Sequence, residues 1–159
     1  MALPNGILEW NLSNLASSML LKESDVRLYF TDGRRVSFML ERRIAYEVLN
    51  GTLAPSEGAG WDVLCFTGKK WEVRSISRGG IYFCPSYMVG SGRSFTEPGF
   101  LRKLDEIEGY VVSDIESFPR IPYWIIPVGV VRSWWSKGLL GTSTKVSRPT
   151  ALGLVSRIQ

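Results

Sequence analysis

Between Trp61 and Ile115 the chain sets four strand-like runs around one helical segment, and that order limits what it can fold into. Trp61 to Phe66 is a short apolar run of the kind that forms a buried strand. Thr67-Gly68-Lys69-Lys70 reads as a turn, and Trp71 to Ile76 alternates as the partner strand of a hairpin. Residues 78–96 are Gly-rich and aromatic and read as a strand followed by a long loop. Pro98 to Glu108 predicts a helix with proline in its first turn, and Tyr110 to Ile115 predicts another strand.

Upstream, residues 7–21 predict a helix capped by Asn11 or Ser13. Residues 26–31 alternate as a strand, with Asp32-Gly33 as a turn and 35–38 as the return strand. A helix is predicted from Ser37 or Phe38 to Asn50, with 51–60 as a loop. Downstream, Tyr123 to Val131 predicts a bent or edge strand, because Pro127 lies within it. A weak helix follows from about Arg148 to Arg157. The order predicts an α/β (α+β) chain with a mixed central sheet flanked by helices. At 159 residues it fits one domain over 1–159, with a core about 38–131 and a basic part over 119–159.

The chain has no histidine. That removes Ser-His-Asp and Cys-His catalysis, His-metal nucleases and zinc hydrolases together. Cys65 and Cys84 sit in apolar surroundings and read as buried free thiols in a reducing compartment, which gives a cytoplasmic expectation. No run approaches the length that spans a bilayer, and the N-terminus lacks the pattern of a signal peptide. Hydrolytic chemistry must then rest on carboxylates, and carboxylates that hold magnesium are the leading choice, since that ion prefers oxygen ligands.

Charge is unevenly spread. The net value is +4, yet no acid follows Glu116, while Arg120, Arg132, Lys137, Lys145, Arg148 and Arg157 do. The last third carries +6, and the first 116 residues carry −2, from thirteen basic and fifteen acidic side chains. This split suggests an anionic partner, nucleic acid before membrane; the plain alternative is a solvated basic surface.

Asp62 begins one strand of the central hairpin, and Glu72 lies ten residues later on the other. Glu72 and Arg74, two apart on a strand, share a face, while Trp71, Val73 and Ser75 share the opposite one. Two carboxylates brought together across a hairpin repel unless a divalent cation lies between them. Such an ion beside a guanidinium suits phosphodiester hydrolysis: the metal polarises the phosphoryl oxygen and the basic group steadies the charge that develops. A turn or cap role for Asp62 and a solvent-facing pair for Glu72 and Arg74 are the plainer readings.

Asp62, the ten-residue interval and Glu72-Val73-Arg74-Ser75 resemble the PD-(D/E)XK nuclease motif, as found in small type II restriction endonucleases. The resemblance extends over residues 38–130 through Glu47 on the preceding helix, the Gly58-Ala59-Gly60-Trp61-Asp62 approach and the later helix–strand order. Trp61 stands where the motif has proline, and Arg74 where it has lysine. Arginine stays charged and cannot act as a general base. Lys69 or Lys70 could swing in from the turn instead.

The resemblance implies a restriction-endonuclease-like sheet and a Mg2+-dependent DNA endonuclease, with Mn2+ able to substitute and no nucleotide cofactor. Double-stranded DNA would be the partner and a homodimer the assembly, without a membrane. Asp62, Glu72, Arg74 and Glu47 are the implied catalytic set. Asp62, Glu72, Glu47 and the carbonyl of Val73 are the implied metal ligands, with Glu57 as an alternative third carboxylate. Lys69, Lys70, Ser75, Ser77, Arg78, Tyr82, Tyr87 and Arg93 are the candidates for gripping DNA. Trp134 and Trp135 are candidates for stacking on bases, for a dimer contact or for the core. A structure-specific junction or repair nuclease is one alternative. A non-catalytic DNA-binding module or partner subunit with the same fold is the other.

Overall fold

The computed structural model describes residues 4–158. Its sheet has six strands in the order β1-β7-β6-β4-β3-β2: β1 Gly6–Glu9, β2 Thr52–Leu53, β3 Val63–Leu64, β4 Lys70–Ile76, β6 Gly109–Asp114 and β7 Arg120–Pro127. β4 and β6 run parallel and the other neighbours are antiparallel, so the sheet is mixed, as the element order predicts. A separate two-stranded ribbon pairs β5, Ile81–Tyr82, with β8, Lys145–Val146.

The alternation along the central strands divides two cores. Val111, Val73 and Ile121 face one side, where they pack with Val26, Phe30, Val36, Leu40 and Ile44 of α2 (Glu23–Phe30) and α3 (Gly33–Arg43) and the turn that ends α3. α1, Leu12–Met19, lies on the same side through Ala16. Tyr110, Val112, Ile76, Trp124 and Ile126 face the other side. There they meet α4 (Glu97–Glu106), α5 (Val128–Ser136) and α6 (Arg148–Val155). A strand buried on both faces needs apolar residues at successive positions, and β6 is buried throughout.

Several expectations are corrected. Residues 26–31 are not a strand: Val26 and Phe30 are four apart, both buried, and Leu28 between them is exposed, which is a helix phase. The Asp32-Gly33 turn joins two helices, and the Asp32 carboxylate caps α3 by accepting from the Arg34 N–H at 2.9 Å. The first helix is preceded by β1, and the strand expected at 123–131 ends at Pro127, where α5 begins. Trp134 is buried against Phe83, and Trp135 packs on Phe95 and Phe100, so both indoles belong to the packing rather than to a base-stacking surface. Cys65 and Cys84 are free and buried.

Candidate active site

β3 is short. It pairs with β4 only at Leu64↔Lys70 and Val63↔Trp71, so beyond Trp71 the strand positions on that side of β4 are unfilled. The Asp62 carboxylate takes over there: its Oδ2 accepts from the Val73 N–H at 2.7 Å, as a strand carbonyl would. That bond fixes Asp62 beside Arg74, whose Nη1 is 3.8 Å from the same oxygen. Arg74 Nη2 forms an ion pair with Glu72 Oε1 at 2.7 Å, so one guanidinium stands between the two carboxylates. Its other contacts are the Val73 carbonyl at 3.2 Å and the Cys84 carbonyl at 3.4 Å.

Glu72 is only 5% exposed. Its second oxygen faces Lys103 of α4, itself 6% exposed, with Nζ 2.6 Å from Oε2 in a geometry too bent for a hydrogen bond. Lys103 gives its hydrogen bond to the Gly60 carbonyl instead. A lysine and a glutamate this deep are tolerated only as a pair, since either alone would be an uncompensated buried charge. Lys103 was not singled out from the sequence, although it carries a signal. It lies three residues after Phe100 and four before Ile107, on the apolar face of the helix.

The third carboxylate comes from α3, and it is Glu41 rather than Glu47. Burial pushes Glu41 up to about 7 from the usual 4.5, and Asp62 and Glu72 add to the rise against the opposing charges of Arg42 and Arg74. Glu47 is not brought to this cluster. Arg43 grips its carboxylate through Nη2–Oε2 at 2.7 Å and lowers it from the usual range, at an exposed joint where Arg43 also lies over Trp10 and donates to the Glu9 carbonyl. The Glu57 side chain lies outside the described residues. Asp62 is itself raised, by burial first and by the Glu72 charge second, with Arg74 and the Val73 N–H opposing. For Arg74, burial works against its charge, but Glu72 and Asp62 outweigh it, so its guanidinium stays protonated.

Of the cluster, Glu41, Arg74 and Val73 line a cleft of about 490 Å3, while Asp62 and Glu72 lie behind them, outside its lining. Glu41, Ser37 and Arg34 of α3 form one wall, Val73, Arg74 and Ser75 the floor, and Gly80, Tyr82, Ser86 and Lys145 the opposite wall. Gly80 is required where it stands: its φ is +102°, and a Cβ there would meet the Val146 carbonyl oxygen at 2.0 Å. A larger hollow of about 710 Å3 lies near α4 and α5, lined by Glu97, Arg132 and Trp135 among others. Arg132 is already paired with Asp105, and Trp135 Nε1 donates to Glu97, so the hollow gathers no carboxylate cluster.

Of the residues expected to grip DNA, Ser75, Ser77 and Tyr82 line the cleft. The others are dispersed. Lys69 pairs with Glu108 at 2.8 Å, and Lys70 stands over the Trp61 ring. The Arg78 N–H donates to Glu116, and Arg93 donates to the Ser86 and Val89 carbonyls of its own loop. Tyr87 is exposed and outside the cleft lining. The basic excess of the last third is partly neutralised: Arg120 pairs with Glu9, Arg132 with Asp105, and Arg148 with buried Asp114 at 2.7 Å. No helix among the described residues is long and apolar enough to cross a membrane.

Comparison with family models, curated proteins and solved structures gave no match. The functional reading therefore rests on the geometry of the cleft alone. All its acidic donors are oxygens, as a hard divalent cation requires. Glu72 Oε2 accepts no hydrogen bond, but it is buried with the Lys103 ammonium 2.6 Å away, so an ion would reach it only by displacing Lys103. Among the described residues no three His, Cys, Asp or Glu side chains stand close enough to chelate one ion outright. Asp62, Glu72 and the Val73 carbonyl, the set expected from the sequence, each already face Arg74 or Lys103.

Proposed function

We propose that the chain is a magnesium-dependent DNA endonuclease of the PD-(D/E)XK kind that hydrolyses phosphodiester bonds at the Glu41 end of the cleft, most simply as a sequence-specific restriction enzyme. The observation that carries this is the convergence of Asp62 and Glu72 on one guanidinium, with a third carboxyl, Glu41, raised to about 7 beside them. Asp62, Glu72 and the Val73 carbonyl would hold the ion. Magnesium bound there supplies Lewis acidity toward the phosphoryl oxygen.

The remaining work belongs to the chain. Arg74 is fixed by two carboxylates and two carbonyls and directs positive charge at the phosphate as charge builds on it. Glu41 has the basicity to accept a proton from an attacking water near neutral pH, which Arg74 lacks. Lys103 orients Glu72 from behind. One such site cuts one strand, so a double-strand cut entails a twofold dimer or two successive nicks.

A second reading is a DNA-binding module that does not cut. It is favoured by Glu72 having both oxygens already facing basic side chains, Arg74 and Lys103. Incubation of supercoiled plasmid with magnesium, and separately with EDTA, distinguishes the two. The proposal expects magnesium-dependent cleavage that Asp62→Asn and Glu72→Gln each abolish. Cleavage that survives both substitutions rejects the site, and intact plasmid in every lane favours the module.

A further inference from the structure

The reading of the 26–38 segment as a hairpin conceals a surface that only the helix creates. α3 is rich in arginine, and its positions are sorted by face. Val36 and Leu40 are fully buried against the sheet, while Arg34, Ser37 and Glu41 line the cleft. Next to that line, one stripe over, come Phe38 and Arg42. Phe38 is 60% exposed, which is unusual for a phenylalanine beside a cleft. The Arg42 guanidinium lies 3.4 Å from the centroid of that ring and donates to the Phe38 carbonyl at 3.0 Å. The ring thus holds the guanidinium flat and pre-orders it, at little further entropic cost on binding.

Neither Arg34 nor Arg42 forms an ion pair with an acid among the described residues, in contrast to Arg35, Arg43, Arg74, Arg120, Arg132 and Arg148. Two uncommitted guanidinium groups eight residues apart on a helix are separated by about 12 Å of rise. At about 3.4 Å of axial rise per phosphate, that distance spans three or four phosphates of one DNA strand. Lys145, on the far wall of the cleft and 5.2 Å from the Tyr82 ring, adds a third cation on the opposite bank.

We infer that α3 is a backbone-gripping helix for duplex DNA: Arg34 and Arg42, the latter shelved on Phe38, hold phosphates three or four apart on the strand that enters the cleft. This rests on the nuclease reading and adds to it the element that positions the substrate. The contacts are to phosphate, so they carry register and affinity rather than sequence.

The test is equilibrium binding of a labelled duplex oligonucleotide in EDTA, followed by fluorescence anisotropy over a series of salt concentrations. Arg34→Gln and Arg42→Gln should each weaken binding to any sequence and lower the slope of log K against log salt by about 1, and the double variant by about 2. Phe38→Ala should weaken binding by releasing Arg42. Arg35→Gln, whose guanidinium is already held by Asp32 and Tyr29, should stay within twofold of the parent. Slopes unchanged in the double variant, or a loss in Arg35→Gln as large as in Arg34→Gln, overturn the inference, as does failure of the parent to bind duplex at all. Because binding is read without magnesium, arginine-dependent binding with no cleavage leaves the inference standing and removes the nuclease reading. Cleavage with silent arginines does the reverse.

Discussion

Replacing Glu41 with glutamine should stabilise the protein at pH 8, which is the opposite of what most substitutions beside a cleft do. The group's native pKa is raised from 4.5 to about 7. The folded chain therefore binds this proton more tightly than the unfolded chain does. Stability from Glu41 is fully present below about pH 4.5, falls as pH rises toward 7, and is constant above that, because both states are then ionised. At about 1.4 kcal/mol per pH unit the ceiling of the loss is about 3 kcal/mol. Glu41 is only partly enclosed, so solvent screening reduces this to about 1–2 kcal/mol.

Glutamine keeps the shape of the protonated acid and never ionises. Glu41→Gln should therefore match the parent near pH 4 and exceed it by about 1–2 kcal/mol at pH 8, or by about 2–8 °C in Tm for a chain of this size. Urea titrations at pH 4, 6 and 8 measure it. A shallower slope should remain in the variant, since Asp62 is raised by the same causes. A variant less stable than the parent at pH 8, or one with the parent's full pH dependence, would refute the raising of Glu41 by burial and, second, by the Asp62 charge.

Other consequences follow from the same contacts. Lys103→Met should cost about 3 kcal/mol in urea unfolding, because Glu72 would keep Arg74 but lose its second cation in a buried setting. Gly80→Ala should cost about 2–3 kcal/mol and loosen the β5–β8 wall of the cleft, readable as faster amide exchange at Ile81 and Val146. Arg148→Ala should cost about 3 kcal/mol by stranding the buried Asp114 carboxylate, measured in the same unfolding assay.

The sequence discloses the middle of the chain better than its ends, for physical reasons. β4, α4 and β6 are legible because each has one strong period: alternation in Trp71–Ile76, helical spacing around Phe100 and Leu104, and an apolar run at Tyr110–Ile115. Asp62, Glu72 and Arg74 follow from that hairpin, because a two-residue period fixes which side chains share a face. The 26–38 segment misleads because Val26, Leu28 and Phe30 fit an alternating pattern as well as a helical one, and only burial distinguishes them. Glu41 and Glu47 both lie on the helix expected up to Asn50, and its periodicity alone does not say which of them faces Asp62. With α3 begun at Gly33, Val36, Leu40 and Ile44 mark the core face, and Glu41 sits beside it. Lys103 is a long-range partner, and no local pattern ties it to a glutamate thirty-one residues earlier.

The measurement that bears most directly on the whole account is a crystal of the protein soaked with manganese and recorded for anomalous scattering. The account predicts a peak within coordination distance of one Asp62 oxygen and one Glu72 oxygen, close to the Val73 carbonyl. A crystal that takes up manganese elsewhere, while both carboxylates keep their contacts with Arg74 and Lys103, would contradict it.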